Sequence, residues 1–295
     1  MEIRMEFNQG SELLEICRAQ NMPISRVMKL RETEFSQISE AEVEEKMKKS
    51  LDIMRRSAKE PLTDPKPSVG GLIGGESGKL YRHAQAGKSV CGTVLQRAVT
   101  YAMAVLEVNA SMGVIVAAPT AGSSGVVPGV LLSLQEEYDL PEEVVLNGLY
   151  TAGAVGYLLM RNASVAGAEA GCQAEVGAAS AMAAAAAAEM MGGTPGQCLD
   201  AASVAMSNLL GLVCDPIAGL VEYPCQNRNS VGAANALICA DQTLAGIPAL
   251  IPFDEMAQAM YHVGRSLPFE LRESALGGCA ATPSACRRTC EIFGS

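Results

Sequence analysis

Apolar residues along this chain recur mostly three or four positions apart, and no stretch shows the period-two alternation of a half-buried strand. The pattern predicts an all-α fold. Near the start, Leu13, Leu14 and Cys17 sit on one helical stripe behind Ser11, which is placed to cap it. After Pro23 the spacing continues through Phe35, Ile38, Val43, Met47, Leu51 and Met54. Ser39 with Glu42 reads as a capping box inside that run, which divides it into two helices. Ala98 to Glu107 reads as buried, and Pro141 starts a helix with Glu142 and Glu143 in its first turn. Asp254 is expected to cap a later helix with a Met256, Met260 and Val263 stripe.

Three stretches interrupt the pattern. Pro61 to Pro67 carries three prolines and reads as a linker, so the expected organisation is an N-terminal helical segment (1–60), a linker (61–67) and a main domain (68–295). Ala110 to Leu134 has no charge and is long enough to span a bilayer. Its Pro119, Pro128 and four glycines instead favour a loop between buried helices. The alanine run from Ala178 to Ala188 is too short and too weakly apolar to span, and is expected in the core.

Composition narrows the picture. Aromatic residues make up 4% and tryptophan is absent, while alanine and glycine dominate the middle of the chain, so closely packed helices are expected. The net charge of −10, with no basic stripe, argues against a nucleic-acid partner. Ten cysteines in a long chain without an apolar leader point to a reducing, cytoplasmic setting, where thiols stay free or bind metal.

Chemistry concentrates around Cys172, Cys214 and Cys225. Cys172 follows a glycine, Cys214 precedes Asp215-Pro216, and Cys225 follows Pro224. Three thiolates from separate segments can hold three irons of a [4Fe–4S] cluster and leave the fourth open as a Lewis acid. No Cys-x-x-Cys occurs, and by spacing alone three buried thiols acting as small hydrophobes are the better reading. Other signals are weaker. Gly78-Lys79 and Gly87-Lys88 lack the glycine five positions earlier that a phosphate loop needs. Neither lysine lies in the setting of a pyridoxal Schiff base. Thr120, Ser123 and Ser124, among flexible glycines, can cradle a carboxylate or simply cap a helix. Arg228 can pair with a substrate carboxylate, support a metal site from behind, or form a surface ion pair, and Asn229, Gln173 and Glu175 are further supporting candidates. His83 and His262 are the only histidines, and neither is placed as a general base.

Several blocks in sequence carry a resemblance. They are Leu106-Glu107-Val108-Asn109-Ala110-Ser111-Met112-Gly113, Ala117 to Gly125, Gly167 to Gly177, Cys214 to Glu222, and Leu276 to Pro283. Over about Ser68 to Phe293 the chain resembles the iron–sulfur-dependent L-serine dehydratases, in particular their separate α chain. The resemblance implies Cys172, Cys214 and Cys225 as ligands of a [4Fe–4S] cluster. It also implies Thr120, Ser123, Ser124 and Arg228 around the substrate, and β-elimination of L-serine to pyruvate and ammonia. A separate β chain is implied as partner, because longer single-chain members carry a further domain. A tail cysteine, best matched by Cys286, is implied as a displaceable fourth ligand. L-threonine or L-cysteine as substrate, an electron-transfer or sensor protein, and a cluster-free helical partner are the alternatives.

Overall fold

The computed structural model describes residues 5–294. Among them the chain forms thirteen α-helices and no β-strand. The helices are α1 (Gly10–Gln20), α2 (Ile24–Ser36), α3 (Glu40–Lys59), α4 (Glu76–Gln85), α5 (Gly92–Ala110), α6 (Val126–Tyr138), α7 (Glu142–Asn162), α8 (Gly167–Ala170), α9 (Ala178–Met190), α10 (Pro195–Asn208), α11 (Cys225–Leu244), α12 (Phe253–Ser266) and α13 (Pro283–Phe293).

The centre is α9, where every residue except Glu189 is buried. A helix apolar all round belongs in a core rather than on a surface. Its eleven-residue run, nearly all alanine, lets neighbours approach closely, and α6, α7, α10 and α11 pack around it. The N-terminal helices share this core through Phe7, Leu13, Ile24 and Leu51, all within 1% of complete burial. Among the described residues α7 is long and apolar enough to cross a membrane, and most of its length is buried, packed against α9 and α2.

Helix starts follow two different logics. Ser39 and Glu42 form the expected capping box, and Thr194 with Gln197 forms another. By contrast, α1, α2 and α4 begin at Gln9, Pro23 and Gly75, which offer no side-chain cap. Their free N–H groups are met by carboxylates from elsewhere in the chain. Asp254 accepts from Gly10 N (2.6 Å) and Ser11 N (3.0 Å). Glu189 accepts from Ser25 N (3.3 Å), and Glu107 from Ser77 N (2.8 Å) and Ser77 Oγ (2.9 Å).

Two expected caps are thereby corrected. Ser11 lies inside α1 and donates to its cap, and Asp254 sits within α12 and caps α1 rather than its own helix. The Ala110–Leu134 stretch is also only partly a loop, because Val126 onward is α6. Pro128 falls in that first turn, where backbone N–H groups have no intrahelical partner and none is lost. Cys91 is exposed immediately before α5.

Candidate active site

Cys172, Cys214 and Cys225 are brought together. All three are buried, at 2%, 2% and 6% exposure. Cys172, Glu175 and Cys225 all act on the Cys214 thiol, and Cys172 and Glu175 act on Cys225. Each thiol is delivered by a different backbone device. Cys172 follows α8 and leads into Gln173–Gly177, which winds as a π-helix. Such single π turns are rare and recur at functional sites. Gln173 fixes this turn: its amide donates to Met260 O (2.9 Å), its side-chain oxygen accepts from Gly211 N (2.8 Å), and its backbone N–H meets Leu212 O (2.9 Å). Cys214 lies in a loop held by an isolated parallel bridge to Arg272, with Cys214 N donating to Leu271 O and Glu273 N to Cys214 O. Cys225 is the first residue of α11, after a cis Tyr223–Pro224 bond.

Around the thiols lies a polar shell. The Glu175 carboxylate accepts from Thr120 Oγ1 at 2.8 Å and stands 3.7 Å from Cys214 Sγ. Burial pushes its carboxyl above the usual range, against the hydrogen bonds from Thr120 and Cys214 and with help from Glu273. A Cβ on Gly167 would fall 2.6 Å from Glu175 Oε2 and 3.1 Å from Cys214 Sγ, so the cradle is cut to a glycine. Asn229 joins two sides of the site: its oxygen accepts from Gly125 N, and its amide donates to Gly122 O and Cys225 O.

The hydroxyl turn is tight. Thr120 and Ser123 form a reciprocal cap over Ala121–Ser123, and Ser124 Oγ donates to Ala121 O (2.8 Å). Ser123 and Ser124 are fully buried. The turn touches the thiol region through Thr120 and Glu175. Arg228 is neither exposed nor free: Nη1 lies 2.7 Å from Asp215 Oδ1 and donates to Val213 O at 2.7 Å. His83 on α4 and His262 on α12 are both exposed. In the tail, Cys286 is exposed with its thiol 3.9 Å from Ala280 O, whereas the Cys279 N–H donates to the Asp215 carboxylate.

Two buried carboxylates escaped sequence reasoning. Asp215, 2% exposed, pairs with Arg228 and Cys279. Glu222, also 2% exposed, gathers Ser68 Oγ (2.6 Å), Gly70 N (2.6 Å) and Leu72 N (2.9 Å) just before Cys225. The only local signal was their place in the Cys214-Asp215-Pro216 and Val221-Glu222 segments. Apart from Arg228, their partners lie 64 to 154 residues away.

The donor set suits a cationic inorganic group. Cys172, burial and the negative charges of Glu175 and Cys225 raise the Cys214 thiol far above its ordinary value. Burial, then Cys172 and Glu175, raise Cys225 likewise. Buried thiols that oppose one another's ionisation are relieved by a bound cation. Among the described residues no three such side chains converge on one point as the ligands of a single ion do. A cluster makes a different demand, because each thiolate meets a different iron.

Known proteins resemble the chain closely. Residues 19–280 match the family model described as the serine dehydratase alpha chain. A probable L-serine dehydratase alpha chain from Bacillus subtilis is 46% identical over 288 residues, 98% of this chain and 96% of that protein. An L-serine dehydratase alpha chain from Peptoniphilus asaccharolyticus is 46% identical over 275 residues, covering 93% of this chain and 94% of its own. An L-serine dehydratase from Helicobacter pylori is 35% identical over 285 residues, 95% of this chain but 62% of that longer protein.

Proposed function

The chain belongs to the serine dehydratase alpha-chain family, and on that premise we propose that it deaminates L-serine to pyruvate and ammonia with a [4Fe–4S] cluster and without pyridoxal phosphate. The observation that supports the cluster is the meeting of Cys172, Cys214 and Cys225, from three separate elements, in one buried site. These thiolates would hold three irons. When bound, the cluster supplies Lewis acidity to the departing β-hydroxyl.

The protein's own residues do the rest. Burial of the thiols excludes bulk water, which protects the site and strengthens its electrostatics. The Thr120–Ser124 turn, held against the thiols through Glu175, forms one wall, and we assign it to the substrate carboxylate. Asn229 holds that wall to the start of α11, so turn and thiol keep a fixed separation. Arg228 steadies the Cys214 loop through Val213 O and its ion pair with Asp215. Elimination also needs an acceptor for the α-proton, and both histidines are exposed. We assign completion of the site to a separate β chain, in keeping with the alpha-chain names of the relatives and the greater length of the H. pylori protein. Ten free cysteines, seven of them at most partly exposed, suit a reducing cytoplasmic setting.

The test is anaerobic purification, visible and EPR spectra, and a pyruvate assay with L-serine, with and without the β chain. The expected result is a brown protein whose turnover needs the β chain, decays in air, returns with iron and reductant, and ignores hydroxylamine. A colourless active protein, or inactivation by hydroxylamine, would overturn the cluster mechanism. A coloured protein that cycles redox state without releasing pyruvate would make it an electron carrier.

A further inference from the structure

The thiols are covered. Cys172, Cys214 and Cys225 are 2%, 2% and 6% exposed. The tail, residues 269 to 293, lies against the Cys214 loop, and the way it is fastened singles out one buried carboxylate.

We propose that Asp215 is a positioning residue that clamps the C-terminal tail over the thiol site and, with the same side chain, fixes the two loops that present Cys214 and Cys225. Its oxygens divide the work. Oδ2 accepts the N–H of Cys279 at 2.5 Å. Oδ1 lies 2.7 Å from Arg228 Nη1, the same nitrogen that donates to Val213 O. Val213 and Asp215 flank Cys214, and Arg228 lies three residues after Cys225 in the first turn of α11. One carboxylate therefore joins the Cys214 segment, the Cys225 helix and the tail.

Three neighbours show that the junction is built for contact. Gly278 has φ +57, and a Cβ there would fall 2.1 Å from Asp215 Oδ2, so only glycine lets the tail come this close. Three residues beyond Cys279, Thr282 caps α13, which packs against the Ile217–Gly219 turn that follows Asp215. The Cys214 bridge to Leu271 and Glu273 adds a second fastening at the same loop. Asp215 is 2% exposed, and a buried carboxylate deprived of its partners loses the compensation for its desolvation. Loss of this carboxylate therefore takes one shared partner from both the tail N–H and Arg228.

The clamp itself does not depend on the cluster. Its effect on iron retention rests on the function proposed above, and the two are separated by readout. The full chain is prepared anaerobically as wild type, Asp215→Ala, Asp215→Asn and Gly278→Ala. Hydrogen exchange is followed in peptides spanning 276–283 and in α9, alongside iron and sulfide content and the KM and kcat for L-serine with the β chain. Asp215→Ala and Gly278→Ala should each raise exchange across 276–283 about tenfold or more while α9 is unchanged, the signature of local opening. Asp215→Asn, which keeps an oxygen for the Cys279 N–H but loses the charge facing Arg228, should fall between them and wild type. In the same variants the chromophore should bleach several times faster in air, and kcat should fall more than KM rises. Unchanged exchange in both Asp215→Ala and Gly278→Ala overturns the clamp. So does exchange that rises equally in α9, which marks a general loss of stability. Iron-free wild type with a protected tail overturns the cluster and leaves the clamp standing.

Discussion

Each of the three thiols depends on a residue that is not a thiol. Gln173 winds the backbone after Cys172, Asp215 and Arg228 hold the strand of chain around Cys214, and Asn229 reaches back to the carbonyl of Cys225. Replacing Cys172, Cys214 or Cys225 singly by serine keeps the volume but substitutes a hard hydroxyl for the soft thiolate that iron prefers. Each variant should keep the helical circular-dichroism spectrum and lose iron and pyruvate formation together. Wild-type iron content in all three would remove them as ligands. The thiols were legible in sequence through the blocks around them, since their spacing alone fitted buried hydrophobes better. The carboxylates were not legible. Asp215 and Glu222 are single acidic letters whose meaning comes from Cys279 and from Ser68, Gly70 and Leu72 across long separations. The tail shows the same limit: the bond from Cys279 N–H to the Asp215 carboxylate spans 64 residues and has no local signal.

At the level of elements, caps separate what local sequence can and cannot reveal. The Ser39–Glu42 box was legible because donor and acceptor are three residues apart. The cap of α1 was not, because Asp254 lies 244 residues from Gly10. Removing a cap carboxylate typically costs about 1 kcal/mol, with a range of roughly 0.5–2. Asp254→Ala should lower stability to denaturant by about that amount, with faster amide exchange concentrated in α1. Glu189, which joins the end of α9 to the start of α2, adds a pH dependence. Burial raises its carboxyl above the ordinary range, against hydrogen bonds from Ser25 and Thr151. The folded state then binds more protons than the unfolded chain between the two pKa values. Stability therefore falls as pH rises from about 4 through the raised value, and levels off above it. Glu189→Gln should keep the acceptor oxygen and abolish that slope, read as denaturation midpoints across the pH series. An identical slope in the variant would assign it to another group.

For the molecule as a whole, the all-α class followed from helical spacing and the lack of period-two runs, and a buried alanine helix followed from its composition. The arrangement did not. Nothing local says that α9 is central, or that the last quarter of the chain folds back over cysteines near its middle, because both depend on which faces remain to be covered once the other helices have packed. That central helix has a thermal consequence. Alanine gives up no side-chain rotamers on folding, and it removes less hydrocarbon from water than leucine or phenylalanine does. A core led by Ala178 to Ala188, in a chain with 4% aromatic residues, trades hydration for close backbone contact. The heat capacity released on melting scales with the apolar area exposed, about 12–15 cal/mol/K per residue in ordinary domains. Scanning calorimetry of the isolated chain should give a value at or below the lower end of that range. The stability curve would then be shallow, so that the protein changes little between cold and warm and is lost less steeply on either side of its optimum.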